Sequence, residues 1–168
     1  MTSDPIFKSF FINECEELSA MVELNPGFLR VTAVPPNAFL VQFICKGLLR
    51  EPGGEIEEAP AFVVGIRLPA NYCREAPDPT AIAHVIAPHH PWHPNVHGPS
   101  GRICVGHIGP STSVADLIMQ IYTILIYRNY ATHDGLSPEA AQWARHHQDR
   151  FPLEQPRPIH LPPNLITS

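Results

Sequence analysis

The chain has 168 residues, enough for one domain with a substantial core and too few for two, and only 16% of them are charged, giving a formal net charge of −5. That balance lacks the basic footprint of a nucleic-acid binder, so nucleic acid is not an expected partner. Four scattered cysteines without a CxxC pair, a start MTSDPIFKSF without the layout of a secretion signal, and no apolar run approaching the ~20 residues of a membrane span predict a soluble protein of the reducing cytoplasm with no membrane partner.

Twenty prolines confine regular structure to the stretches between them, because each removes a backbone donor and holds its predecessor extended. From Ile6 to Glu23, Phe7, Phe11, Leu18 and Val22 recur at helical spacing, with Glu14, Glu16 and Glu17 mostly on other faces, which predicts an amphipathic first helix. Asn25-Pro26-Gly27 ends it, and Phe28 to Val34 reads as a strand. Pro35-Pro36-Asn37 then turns the chain into a second strand, Ala38 to Cys45. Arg50 to Pro60, with Pro52, Gly53, Gly54 and several glutamates, reads as an exposed connection. Ala61 to Leu68 and Ala81 to Ala87 supply third and fourth strands, completing an antiparallel meander. From Pro88 to Pro110 periodicity is lost, while His89, His90, Trp92, His93, His97, Cys104 and His107 are concentrated there; long ordered loops tend to carry function. Ser113 and Asp116 have the spacing of a helix N-cap and its reciprocal acid, opening a central helix from Val114 to Arg128 whose nearly all-round apolarity predicts burial against the sheet. Ser137-Pro138-Glu139 opens a last helix that runs to about Gln148. The layout is α+β, with a domain over residues 1–150 and a proline-rich tail over 151–168 that is extended or disordered; within it Gln155-Pro156-Arg157-Pro158 has the form of a docking peptide, or is part of a disordered end.

His93-Pro94-Asn95 followed by Gly101-Arg102-Ile103-Cys104-Val105 resembles the active site of the ubiquitin-conjugating enzymes, an HPN tripeptide followed closely by G-x-I-C-L. Ile66-Arg67-Leu68-Pro69-Ala70-Asn71-Tyr72 is similar to that family's I-x-F-P-x-x-Y segment, and Asp134-Gly135-Leu136-Ser137-Pro138-Glu139-Ala140-Ala141 to its D-P-L-x-P-E-x-A segment, so the resemblance spans about Ile6 to His147. It implies the ubiquitin-conjugating fold. It also implies a function: Cys104 takes a ubiquitin-like modifier as a thioester from an activating enzyme and passes it to an acceptor lysine of a protein substrate, without a cofactor or metal of its own. A ligase is a further implied partner. Departures from the pattern are visible: one extra residue between Asn95 and Cys104, Ser111-Thr112-Ser113 where the family often has a tryptophan, a first helix rich in glutamate with Lys8 as its one basic residue, and no clear fourth helix. They set the chain apart from the commonest eukaryotic members and make it more similar to bacterial relatives found in ubiquitin-like antiphage operons.

The chemistry fits the residues. A free thiol near pKa 8.5 is already a few per cent thiolate at neutral pH, so Cys104 needs exposure more than a strong base, whereas Cys15, Cys45 and Cys73 read as small buried apolar groups. An acceptor lysine of pKa ~10.4 is about 0.1% neutral at physiological pH, a cost of roughly 4 kcal/mol, and Asp134 occupies the position of the acid that in the family orients or deprotonates the amine; as a plain loop residue it would only solvate or cap. Asn95 has two readings, an amide donor to the developing oxyanion or a pin for the loop. His93 and Pro94 read as loop structure. Trp92 reads as core or loop packing. His107, three residues after Cys104, invites a cysteine–histidine dyad, and the loop histidines with Cys104 invite a zinc site; a cysteine hydrolase, a zinc protein, or a noncatalytic module of the same fold that holds a modifier are the alternatives. The cysteine itself argues against the last.

Overall fold

The computed structural model describes residues 4–153 and 157–163. The first helix, α1 (Pro5–Leu24), starts one residue before the predicted stretch because Asp4 caps it: the carboxylate accepts the Ile6 N–H at 3.0 Å, and Pro5 takes a first-turn position where no intrahelical donor is needed. Phe7, Phe11, Leu18 and Met21 form its buried stripe. Glu14 lies in that stripe as well, 4% exposed, contrary to the expectation that the helix's glutamates face away.

Strands β1 (Leu29–Val34), β2 (Ala38–Phe43), β5 (Phe62–Arg67) and β6 (Ala83–Ala87) form the antiparallel four-stranded sheet in the order β1-β2-β5-β6. Its register aligns Val41 with Val64 and Val64 with Val85, so alternate residues Phe39, Val41, Phe43, Phe62, Val64 and Ile66 share the buried face. Helix α2 (Val114–Leu125) completes the core with Leu117, Ile118, Ile121 and Ile124, none of them exposed to solvent. Ser113 caps it by accepting the Asp116 N–H at 3.1 Å. The helix stops short of the predicted Arg128, because Tyr127 adopts a left-handed conformation (φ 61°) that breaks the helical ladder.

The stretch expected to be an exposed connection, Arg50 to Pro60, holds a strand, β4 (Ile56–Ala59), which pairs with β3 (Gly47–Arg50) just before it as a separate hairpin around the turn at Pro52-Gly53-Gly54. The glutamates suggested a loop; Glu51 and Glu55 lie in the turn, and Glu57 and Glu58 are exposed on the two faces of β4. This hairpin, the histidine-rich loop and helix α3 (Pro138–His146) enclose a second, smaller core of Leu48, Trp92, Tyr127, Ala140 and Ala144, with Trp143 and Phe151 packed against it. The Tyr127 hydroxyl donates to the Trp92 carbonyl across it. A short 3-10 turn, Gln148–Arg150, follows α3.

Residues 157–163 lie across the body of the domain. The buried Asn25 side chain holds His160 from both sides, donating to its carbonyl at 2.8 Å and accepting its N–H at 2.9 Å, while the Tyr122 hydroxyl donates to the Arg157 carbonyl and Ile159 is buried in the main core. Gln155 and Pro156 of the suggested docking peptide lie outside the described residues. No helix among the described residues is long and apolar enough to cross a membrane.

Candidate active site

The loop after β6 doubles back as a narrow hairpin. Val96 and Ile103 bridge in antiparallel fashion, His97 N–H donates to the Arg102 carbonyl at 2.9 Å, and Cys104 N–H donates to the Asn95 carbonyl at 2.8 Å. The returning arm is fastened on its other side, where Ile103 N–H donates to Ala83 and Val105 N–H to Pro79. Ile103 and Val105 point into the core, at 0% and 2% exposure, so the two-residue alternation of an extended chain turns the Cys104 side chain outward, where it is half-buried. Its thiol makes no hydrogen bond among the described residues. Gly101 makes the turn possible: at φ +71° it runs so close to β6 that a Cβ would sit 2.2 Å from the Val85 carbonyl oxygen.

His93, Pro94 and Asn95 form the outgoing arm. His93 is 3% exposed, its Nδ1 accepts the Asn95 N–H at 2.9 Å, and its ring meets Tyr127 edge-on at 4.4 Å. That bond fixes the neutral tautomer with the proton on Nε2, and burial holds the imidazole pKa down at about 3, with the Asn129 main chain working weakly the other way. His93 is therefore a neutral packing and bonding group.

Asn95 points its side chain at the segment that precedes α3. Its Oδ1 accepts the Ala131 N–H at 2.7 Å, and because that partner is a donor, the amide orientation is settled and the Nδ2 protons are left without a partner among the described residues. Two more ties hold the same segment to the HPN arm. Ser137 N–H donates to the Pro94 carbonyl at 3.1 Å, and Gly135 passes so near that oxygen that a Cβ would come within 2.4 Å. Asp134 lies between these ties, exposed, on a loop moored to the arm that faces Cys104. Asn95 is thus tied to Cys104 by a main-chain bond and to the Asp134 loop through its own side chain, with the Pro94–Ser137 main-chain bond beside it.

His107 is exposed and shares no hydrogen bond with Cys104 among the described residues. Nor do three or more His, Cys, Asp or Glu side chains among the described residues converge as metal ligands would, with His93 sealed in the interior and His97 Nδ1 paired with Ser100 Oγ at 2.7 Å. From sequence, Ala131 has no assigned role, and Gly135 and Ser137 figure only as part of a motif and a helix start; the usable signal is a glycine beside the acid of the Asp134-Gly135-Leu136-Ser137 segment.

No protein-family model matches this sequence, and no curated protein does. Among solved structures the chain is similar to the E2 domain of a Toxoplasma gondii ubiquitin conjugating enzyme, with 15% identity over 82% of this chain and 89% of that one and a TM-score of 0.52. It is also similar to a ubiquitin conjugating enzyme E2 from Plasmodium falciparum, with 22% identity over 68% of this chain and 96% of that one and a TM-score of 0.43. The fold, assigned on the first of these likenesses, is that of the ubiquitin-conjugating enzymes.

Proposed function

We propose that the protein is a thioester carrier: Cys104 receives the C-terminal acyl group of a ubiquitin-like modifier from an activating enzyme and hands it to the amine of an acceptor lysine. One observation carries this reading, the outward-turned Cys104 on a strip fastened by backbone bonds beside the moored Asp134 loop. In the first step the Cys104 thiolate attacks the thioester carbonyl on the activating enzyme, the new C–S bond forms as the old one breaks, and the departing thiolate carries away the charge. One thioester replaces another, so the step is nearly thermoneutral and needs access more than activation.

In the second step the lysine nitrogen attacks the Cys104 thioester, the C–N bond forms, and Cys104 leaves as thiolate while the amine proton passes to a base or to water. Asp134 supports that step from the moored loop by orienting the ammonium and accepting its proton. The division of labour at Asn95 follows from its bonds: the oxygen pins the loop through Ala131, and the amide protons are free to donate to the tetrahedral oxyanion, where losing one such donor typically costs ~10²–10³ in rate. Comparing Asn95→Asp with Asn95→Ala separates the roles, because aspartate keeps the acceptor for Ala131 and loses the donor, while alanine loses both.

The test is a nonreducing gel of the protein with ATP, an activating enzyme and the candidate modifier. The expected result is an adduct that reductant removes and that Cys104→Ala abolishes. A folded protein that forms no adduct beside a demonstrably charged activating enzyme would overturn the reading and favour a noncatalytic module.

A further inference from the structure

We infer that the cleft between the β3–β4 hairpin, the turn at His97–Pro99 and the start of α3 is a recognition pocket for the acceptor, taking an apolar side chain two or three residues from the modified lysine. The inference rests on the carrier reading above. The cleft has a volume of about 450 Å³, room for one large side chain, and its apolar lining comes from Pro91, Trp92, Pro99, Leu136 and Pro138. The same two loops that frame the thiol build its walls: His97–Pro99 lies between Asn95 and Cys104, and Leu136–Pro138 continues directly from Asp134. Of the two chains that meet at Cys104, the acceptor is the one whose amine must approach the Asp134 loop, so the acceptor is also the chain led along that loop into the cleft.

The reach agrees. Cys104 faces Asn95 across the hairpin and Gly98 is three residues further along, a span of at most ~10 Å at the ~3.3 Å per residue of a fully extended chain. A residue two or three positions from the acceptor lysine lies ~7–10 Å away along an extended chain, so both ends can be engaged together.

The apolar lining suits an uncharged side chain. Arg50 is neutralised by Glu139 at 2.7 Å and lies over the Trp92 ring at 5.1 Å from its centroid, setting that ring in place, and Glu51, His90 and His97 complete the rim. His90 is held in a left-handed conformation (φ 58°) although it is not glycine, its carbonyl accepting Arg50 N–H at 2.9 Å; backbone strain of this kind concentrates at binding sites. The Trp92 indole N–H is buried and has no partner among the described residues.

The experiment loads Cys104 with the modifier, then chases it with lysine peptides differing only at positions two and three on either side of the lysine, carrying Gly, Leu, Phe, Asp or Arg. Single-turnover discharge is read relative to free lysine. Leucine or phenylalanine at one of those positions is expected to raise the rate about 10-fold or more over glycine, the scale on which apolar pockets discriminate. Gly98→Phe puts a ring into the cleft from a position where a Cβ meets nothing nearer than the Pro91 oxygen at 3.7 Å, and is expected to bring that ratio close to unity. Leu136→Ala removes wall without adding bulk and is expected to lower the ratio several-fold. Equal rates for all peptides, a preference for Asp or Arg, or a ratio unchanged in both variants would overturn the inference while leaving the carrier reading intact. No loading of the wild-type cysteine would overturn both.

Discussion

Replacing Glu14 by glutamine will stabilise the protein at pH 8 and leave it nearly unchanged at pH 4. The carboxyl group is 4% exposed, accepts the Val114 N–H at 2.7 Å at the start of α2, and has Glu17, Asp116 and the Tyr72 hydroxyl as its charged or titratable surroundings. It has no cationic partner among the described residues. Burial raises its pKa from 4.5 to about 7, the Val114 bond works against the rise, and Glu17 and Asp116 add to it. Between those two values the folded chain binds more protons here than the unfolded chain, so this group's contribution is fully present below about pH 4.5 and is lost as the pH rises through about 7. The span corresponds to about 3 kcal/mol. Glutamine keeps the carbonyl oxygen for Val114 and has no charge to desolvate, so the variant should melt about 6–12 °C above wild type at pH 8, with the two converging in acid. Thermal unfolding of both proteins across pH 4 to 8 reads this directly. A melting difference that does not change with pH, or a variant that is less stable at pH 8, would refute the account of Glu14 as a buried carboxylate without compensation.

His93 acts in the opposite sense: with its pKa held down at about 3 in the folded chain, the unfolded chain binds the extra proton between that value and 6.5, so stability should fall as the pH drops below 6.5. NMR of the imidazole nitrogens should accordingly show His93 still neutral at pH 5. Gly135→Ala must move the Asp134 loop off the Pro94 carbonyl, and is expected to cost about 1–3 kcal/mol and to slow discharge of the thioester more than its formation, a split that single-turnover assays of the two steps resolve. Ile159→Ala should cost about 2 kcal/mol or more, read as a lowered urea midpoint with an unchanged slope, because the residue is 7% exposed within the main core.

The large periodic elements were legible because a single physical preference dominated each. The apolar stripe of α1, the alternation of β2 and β5, and the serine caps of α2 and α3 all announce themselves within a few residues. The HPN arm and Cys104 were picked out by their resemblance to a family motif. What escaped depends on tertiary partners. Glu14 reads as solvent-facing until the first N–H of α2 is placed against it, and the β3–β4 hairpin reads as a loop until Trp92 N–H and the His90 carbonyl supply the edge it bonds to. The end of α2 was overrun because nothing local in Tyr127 signals a left-handed residue; its ring is drawn into the second core beside Trp143 and Phe151. At the site, sequence left Asn95 between two roles, and only the position of Ala131 shows where its oxygen is spent.

The fastenings around Cys104 are almost all main chain to main chain: Asn95 to Cys104, Ala83 to Ile103, Pro79 to Val105, Pro94 to Ser137. Peptide groups are common to every residue type, so most side chains in these segments can be exchanged without loosening the frame, and selection needs to preserve only the few positions whose identity matters sterically or chemically, such as Gly101, Gly135, Asn95 and the cysteine. A frame built this way tolerates wide change in its side chains while its shape stays put.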